Sequence, residues 1–170
     1  MQRRLTWVFV FVAVSVVAAG YVGNVFATDA SGFSATTIAR GRFDDIDVMN
    51  HSFPEGFDRP WISIQKAKGP SDLFVQSNVW IVGGTTGWHT HPGHSLIIVT
   101  AGTVTVYESD DPDCTPHVYT AGMGFVDRGG DHSHLVRNEG DVEARTVAVQ
   151  LVPADATRRI SVDGPEACPF

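Results

Sequence analysis

The sequence is dominated by short runs of alternating or β-branched apolar residues, and glycine or proline interrupts most of them. Residues two apart on a β-strand share a face, so such alternation indicates half-buried strands, whereas a helix repeats every 3.6 residues. The predicted strands are residues 37–47, 61–68, 73–82, 95–100, 103–107, 117–120, 124–127, 134–138, 146–152 and 159–162. Many short strands separated by turns predict one all-β domain, either a sandwich or a barrel.

The N-terminus is typical of an export signal, because Arg3 and Arg4 precede an apolar stretch and Ala27 offers a small residue for cleavage. The apolar residues 5–23 approach the roughly 20 residues of a membrane-spanning helix, so an uncleaved membrane anchor is the alternative. Both alternatives place the folded part outside the cytoplasm, secreted or anchored. We expect a leader at 1–27, a flexible lead-in at 28–35 and a single domain at 36–170.

The two cysteines, Cys114 and Cys168, agree with export. In an oxidising compartment, an even number of cysteines in a small domain indicates a disulfide, and two free thiols are the alternative. A bridge between them would tie the C-terminal tail to a polar loop of the domain.

The charge balance excludes one class of partner. The chain carries 19 acidic and 12 basic residues, a formal net charge of −7 at pH 7. Nucleic-acid binding requires clustered lysine and arginine, and beyond Arg158 and Arg159 the predicted domain has no such cluster. We therefore expect a small-molecule partner and no nucleic acid.

Five of the seven histidines lie in two short segments, at His89, His91, His94, His132 and His134. On a strand, His89 and His91 project side by side, and so do His132 and His134. Imidazole is the commonest protein ligand for divalent transition metals. If the two segments are neighbours in the fold, three of these rings converge on one ion, with iron, manganese, zinc and nickel all open.

The surroundings of these histidines resemble the two motifs of the cupin family. In the first motif, Gly83 is followed by five residues, then His89-x-His91, and later by Gly102. The second motif is matched by Gly122, Gly130, His134 and Asn138, although Arg128 replaces the usual proline and one extra residue precedes His134. The resemblance covers roughly residues 80–152. It implies a double-stranded β-helix, the jelly-roll barrel of cupins.

By this resemblance, the metal ligands are His89, His91 and His134. The extra residue in the second motif makes His132 a competitor of His134. Ser95 stands where the first motif usually has glutamate, and its neutral hydroxyl is a poor ligand. That coordination position is expected to stay open for water or substrate, with His94 as an alternative occupant.

Three-histidine cupin sites occur among thiol and diketone dioxygenases, so the resemblance implies a metal-dependent oxygenase, or a related lyase or isomerase. The two motifs offer no general acid or base beyond the ligands themselves. The alternative is a non-catalytic module that holds a small molecule in the barrel, against Trp80, Trp88, Phe125 and Val149. Cupins often pair through edge strands, which leaves a homodimer as a further expectation.

Overall fold

The computed structural model describes residues 29–170, so the predicted export segment lies outside the described residues. Regular structure within this range consists of β-strands alone. The strands are β1 (Ser31–Phe43), β2 (Ile46–Ser52), β3 (Trp61–Ala67), β4 (Ser71–Thr85), β5 (His89–Thr90), β6 (Ser95–Ala101), β7 (Thr103–Glu108), β8 (His117–Thr120), β9 (Gly124–Asp127), β10 (His134–Arg137), β11 (Ala144–Pro153) and β12 (Ile160–Ser161). Between residues 29 and 170, no helix has the length and apolar character needed to cross a membrane.

Ten of the strands form one antiparallel sheet that curls into a nearly closed barrel. The order along the sheet is β12-β5-β10-β4-β11-β6-β9, with β1 also paired to β4, and β7 paired to both β10 and β8. The remaining two strands, β2 and β3, form a separate hairpin. The predicted all-β jelly-roll barrel is confirmed.

The largest difference from the predicted strands lies at the start of the domain. Residues 31–35, which are predicted to be part of a flexible lead-in, belong to β1 and pair with β4. Phe33 explains this extension, because its ring packs on Trp80 with the ring centroids 4.8 Å apart. The predicted strand at 37–47 is in fact the rest of β1 and the first residues of β2.

The barrel interior is filled by alternate residues of the strands. The main buried cluster consists of Trp80, Val99, Val104, Val106, Val136 and Ala144. On β6, Ser95, Ile97 and Val99 are buried, whereas the residues between them are exposed. The register continues this pattern across the sheet: Gln150 of β11 lies opposite Ser95, which lies opposite Asp127 of β9. One lateral row at the end of these strands is therefore polar.

A smaller core holds the C-terminal tail against the barrel. Trp88, Tyr107, Leu135 and Cys168 are buried together, and Cys168 is joined to Cys114 by a disulfide with a Cα–Cα distance of 5.3 Å. Gly164 runs so close to Trp88 that an added Cβ atom would lie 2.6 Å from the indole ring. The tail thus covers Trp88, the residue immediately before His89.

Removing the disulfide is expected to destabilise the fold. The paired replacements Cys114→Ala and Cys168→Ala should lower the free energy of unfolding by about 2–4 kcal/mol, because the unfolded chain regains the freedom of a long closed loop. Urea unfolding of the variant and the wild type measures this difference. A reductant should weaken the wild type and leave the variant unchanged, and equal unfolding midpoints for the variant and the oxidised wild type would contradict the prediction.

Candidate metal centre

Three histidines converge at one end of the barrel. His89 of β5 lies directly opposite His134 of β10, and His91 follows two residues after His89. The ring centroids are 4.4 Å apart for His89 and His134, 4.8 Å for His89 and His91, and 5.7 Å for His91 and His134. One nitrogen from each ring lies within 4.8 Å of those of the other two. The predicted set His89, His91 and His134 is therefore brought together by the fold.

Backbone carbonyls fix the orientation of two of the rings. Nδ1 of His89 lies 2.9 Å from the carbonyl oxygen of Gly87, and Nδ1 of His91 makes a short hydrogen bond with that of Arg158. A carbonyl oxygen only accepts, so Nδ1 of each ring donates its proton there. Nε2 of each neutral ring then carries the lone pair that a metal ion requires.

The third ring leaves a polar atom without a hydrogen bond. Nδ1 of His134 is buried and has no hydrogen-bond partner among residues 29–170. Burying an unsatisfied nitrogen costs roughly 1–3 kcal/mol, so such atoms are rare in native proteins. The donor set of three imidazoles fits a divalent transition metal.

The structure adds a carboxylate that the sequence motifs do not predict. Asp127, at the end of β9, is buried, and its Oδ1 lies 3.4 Å from Nδ1 of His134. Its Oδ2 lies 3.6 Å from Nε2 of His91 and accepts a hydrogen bond of 2.9 Å from Oγ of Ser95. The sequence shows only that Asp127 ends a predicted strand, and strand pairing is what sets it opposite Ser95.

The competing histidines lie outside this group. Nε2 of His132 contacts a carboxylate oxygen of Glu108, and its Nδ1 lies 3.5 Å from Oδ2 of Asp110. Asp110 also forms a salt bridge with Arg128. His132 thus belongs to a separate ion-pair network. His94 does not join the three-histidine group, and its carbonyl oxygen accepts a hydrogen bond from the Leu151 amide.

Asn138 of the second motif holds neighbouring backbone segments together. It is fully buried, and its side-chain nitrogen donates to the carbonyl oxygens of Trp80, Ile81 and Val142. Its side-chain oxygen accepts a hydrogen bond of 3.0 Å from the Gly140 amide.

A cavity of about 190 Å³ opens from the histidines into the barrel. Its apolar wall is formed by Phe33, Trp80, Ile97, Phe125 and Val136, and Arg158 and Arg159 also line it. Two residues expected in this wall lie elsewhere: Trp88 belongs to the core under the tail, and Val149 points away. On β11, the residues that line the cavity are Thr146, Ala148 and Gln150.

Burial keeps two of the imidazoles neutral. It lowers the pKa of His134 from the ordinary value of 6.5 to about 3, and the neighbouring His91 adds to this effect. Burial likewise holds the pKa of His89 well below its ordinary value, with a further contribution from His134. Neutral imidazole is the form that binds metals, so the rings need not lose a proton near pH 7.

Comparison with known proteins agrees with this architecture. Residues 79–150 match the family model described as a cupin domain. These residues form a cupin domain. No curated protein sequence matches the chain.

Several solved structures resemble about half of this chain. An oxalate oxidase is 26% identical over 48% of this chain and 46% of that chain, with a TM-score of 0.40. A cupin-like protein from Thermotoga maritima is 21% identical over 54% of this chain and 65% of that chain, with a TM-score of 0.47. A protein from Thermotoga maritima described as a predicted oxalate decarboxylase is 17% identical over 50% of this chain and 83% of that chain, with a TM-score of 0.40. The match thus spans about half the length of the oxalate oxidase chain.

The neutral histidines predict a specific dependence of stability on pH. An unfolded histidine titrates near 6.5, above the folded-state pKa of His89 and of His134, so protons bind preferentially to the unfolded chain. The stability of the metal-free protein should be fully present above pH ~6.5. It should fall below that value, towards about pH 3 for His134, by up to ~1.4 kcal/mol per pH unit for each histidine.

Urea unfolding between about pH 5 and 7.5 tests this dependence. The variant His134→Gln should show a flatter decline than the wild type. The matched control His117→Gln, at an exposed position, should keep the wild-type slope. A decline of the same slope in His134→Gln and the wild type would contradict the assignment.

Proposed function

We propose that this cupin domain holds one divalent transition-metal ion through His89, His91 and His134 and acts on a small molecule outside the cytoplasm. The observation that carries the proposal is the convergence of three imidazole nitrogens within 4.8 Å. Two of the rings are already oriented by backbone carbonyls, and the third has an unsatisfied buried nitrogen. Iron, manganese, zinc and nickel all suit such nitrogen ligands.

When bound, such an ion polarises a carbonyl group, activates water or binds O₂ beside a substrate. The residues of the chain then set the surroundings. The carbonyl oxygens of Gly87 and Arg158 hold two ligand rings in position. The apolar wall, which includes Phe33 and Phe125, excludes water from the space next to the ligands.

The cavity favours a small, flat ligand with an anionic or carbonyl oxygen. Its aromatic wall offers planar surface, and the guanidinium groups of Arg158 and Arg159 supply positive charge. Nε1 of Trp80 and Nε of Arg159 are buried and find no hydrogen-bond acceptor among the described residues. Both N–H groups are available to a ligand oxygen. We propose a metal-dependent oxygenase acting on such a compound, with a lyase or isomerase as related reaction types.

The same cavity would also suit a non-catalytic module that only retains a small molecule, and its largely apolar wall favours this second candidate. The disulfide between Cys114 and Cys168 supports an extracytoplasmic location for either candidate, because disulfides persist in oxidising compartments.

Loss of a ligand histidine should abolish metal retention. Protein purified without chelators and reloaded with Fe(II), Mn(II), Zn(II) or Ni(II) should hold about one ion per chain, since three imidazole ligands suffice for a site. Metal analysis after gel filtration should find less than roughly a tenth of that amount in His89→Ala and His134→Ala, because two rings alone hold an ion poorly. The control His117→Ala should retain the wild-type content. Equal metal contents in all four proteins would refute the site.

Catalysis is tested separately by oxygen uptake. The iron-loaded protein should consume O₂ with at least one compound from a panel of thiols, diketones and phenolic acids, whereas His89→Ala should be inactive. A flat response from protein that keeps its iron would favour the binding module. Isothermal titration with the same panel would then identify the retained ligand class.

A further inference from the structure

We infer that Asp127 is the carboxylate ligand of this site and replaces the glutamate that the first cupin motif lacks at Ser95. The inference rests on the proposed metal site and changes its chemistry. The carboxylate comes from Asp127 on β9 and not from position 95 on the neighbouring strand β6. The proposed centre is then a three-histidine, one-carboxylate site. The position opened by Ser95 is accordingly filled from within the chain.

Two distances place the Asp127 carboxylate beside two of the histidines, while the group whose ligand atoms all lie within 4.8 Å of one another consists of the three histidines. Oδ1 of Asp127 lies 3.4 Å from Nδ1 of His134, and its Oδ2 lies 3.6 Å from Nε2 of His91. Two ligand atoms ~2.1 Å from a shared ion are separated by about 3.4 Å at a tetrahedral angle. Both contacts exceed the usual upper limit of ~3.2 Å for an N–H···O hydrogen bond, and Nδ1 of His134 makes none.

The hydrogen bond of His91 points to the same conclusion. Its Nδ1 donates to the Arg158 carbonyl, so the lone pair of the metal-binding form of the ring lies on Nε2, which is 3.6 Å from a carboxylate oxygen of Asp127. Two acceptor atoms facing each other require a cation between them. A proton could bridge Nε2 of His91 and Oδ2 of Asp127 alone. A metal ion could in addition be bound by nitrogens of His89 and His134.

Burial gives a third observation. Asp127 is only 4% exposed, and a carboxyl group buried to this extent needs polar or charged partners. Among residues 29–170, no lysine or arginine pairs with Asp127, and the ring nitrogens within 4.0 Å of its carboxylate belong to His91 and His134. A divalent cation beside these residues would be a further partner for the carboxylate.

Ser95 is then a positioning residue rather than a ligand. It lies opposite Asp127 in the register of β6 and β9, and its Oγ donates to Oδ2 of Asp127 at 2.9 Å. Oγ accepts in turn from Nε2 of Gln150 at 3.3 Å, and Oε1 of Gln150 accepts from Nε of Arg158 at 3.0 Å. The Gly129 amide donates to Oδ1 at 2.9 Å. These bonds hold the carboxylate towards the histidines.

The register also explains why the exchange is feasible. Directly opposed residues on antiparallel strands have Cβ atoms about 4.5–5.5 Å apart, and both side chains here face the barrel interior. A glutamate at position 95 and an aspartate at position 127 can therefore reach the same point from adjacent strands.

Co(II) binding to the full chain tests the inference, because visible absorption reports the ligand set and chelator competition gives the affinity. Asp127→Asn should weaken Co(II) binding by at least about 100-fold and change the absorption bands, since a charged ligand is lost. Ser95→Ala should weaken binding by up to roughly 10-fold with unchanged bands, since it affects only the orientation of Asp127. The exposed control Asp131→Asn should behave as the wild type.

The exchange variant, which combines Ser95→Glu with Asp127→Ser, makes the test independent of folding defects in the single variant. It should bind Co(II) within about tenfold of the wild type, since a carboxylate again reaches the ion. Wild-type affinity and bands in Asp127→Asn, together with loss of binding in His134→Ala, would overturn the role of Asp127 and leave the metal site intact. A folded exchange variant that binds no better than Asp127→Asn would also overturn it. Absence of Co(II) binding to the wild type would overturn the proposed metal function itself.

Discussion

The candidate site depends above all on the antiparallel register at one end of the barrel. Pairing of β5 with β10 sets His89 opposite His134, and pairing of β6 with β9 sets Ser95 opposite Asp127. A shift of one residue in either pair would turn a side chain from the interior to the outer face, because strand side chains alternate. Each polar group at the centre is therefore fixed by backbone hydrogen bonds that lie outside the site.

Burying polar groups at this end of the barrel lowers the stability of a small domain. Neutral imidazoles and a carboxylate are buried beside one another, and burial depresses the pKa values of His89 and His134. The apolar core includes Val99, Val104 and Val136, and the burial of their side chains stabilises the fold. A cation would convert the polar cluster from an unfavourable burial into a satisfied one.

The C-terminal tail takes part in the site as well as in the fold. β12 pairs with β5, and the Arg158 carbonyl just before it orients the His91 ring. The disulfide at Cys168 anchors this tail against the core that contains Trp88. The disulfide is thus linked through the tail to the orientation of the His91 ring, which lies 67 residues before Arg158 in sequence.

Alternation and turn residues alone predicted the β class and most strand positions, since side-chain period and turn chemistry are local properties. The spacing of His89 and His91 likewise indicated a shared face, and the resemblance to two motifs supplied His134. Other features depended on contacts remote in sequence. Phe33 extends β1 through its packing on Trp80, and the tail is positioned by long-range pairing.

The sequence by itself determined an all-β domain and three histidines able to share a face. Only the tertiary structure decided that Asp127 lies beside two of these rings, that His132 lies outside their group, and that Ser95 donates a hydrogen bond to Asp127. The physical reason is that the sequence shows which residues alternate along one strand, whereas cross-strand register decides which residues meet. Register is set jointly by all the strands of the closed barrel.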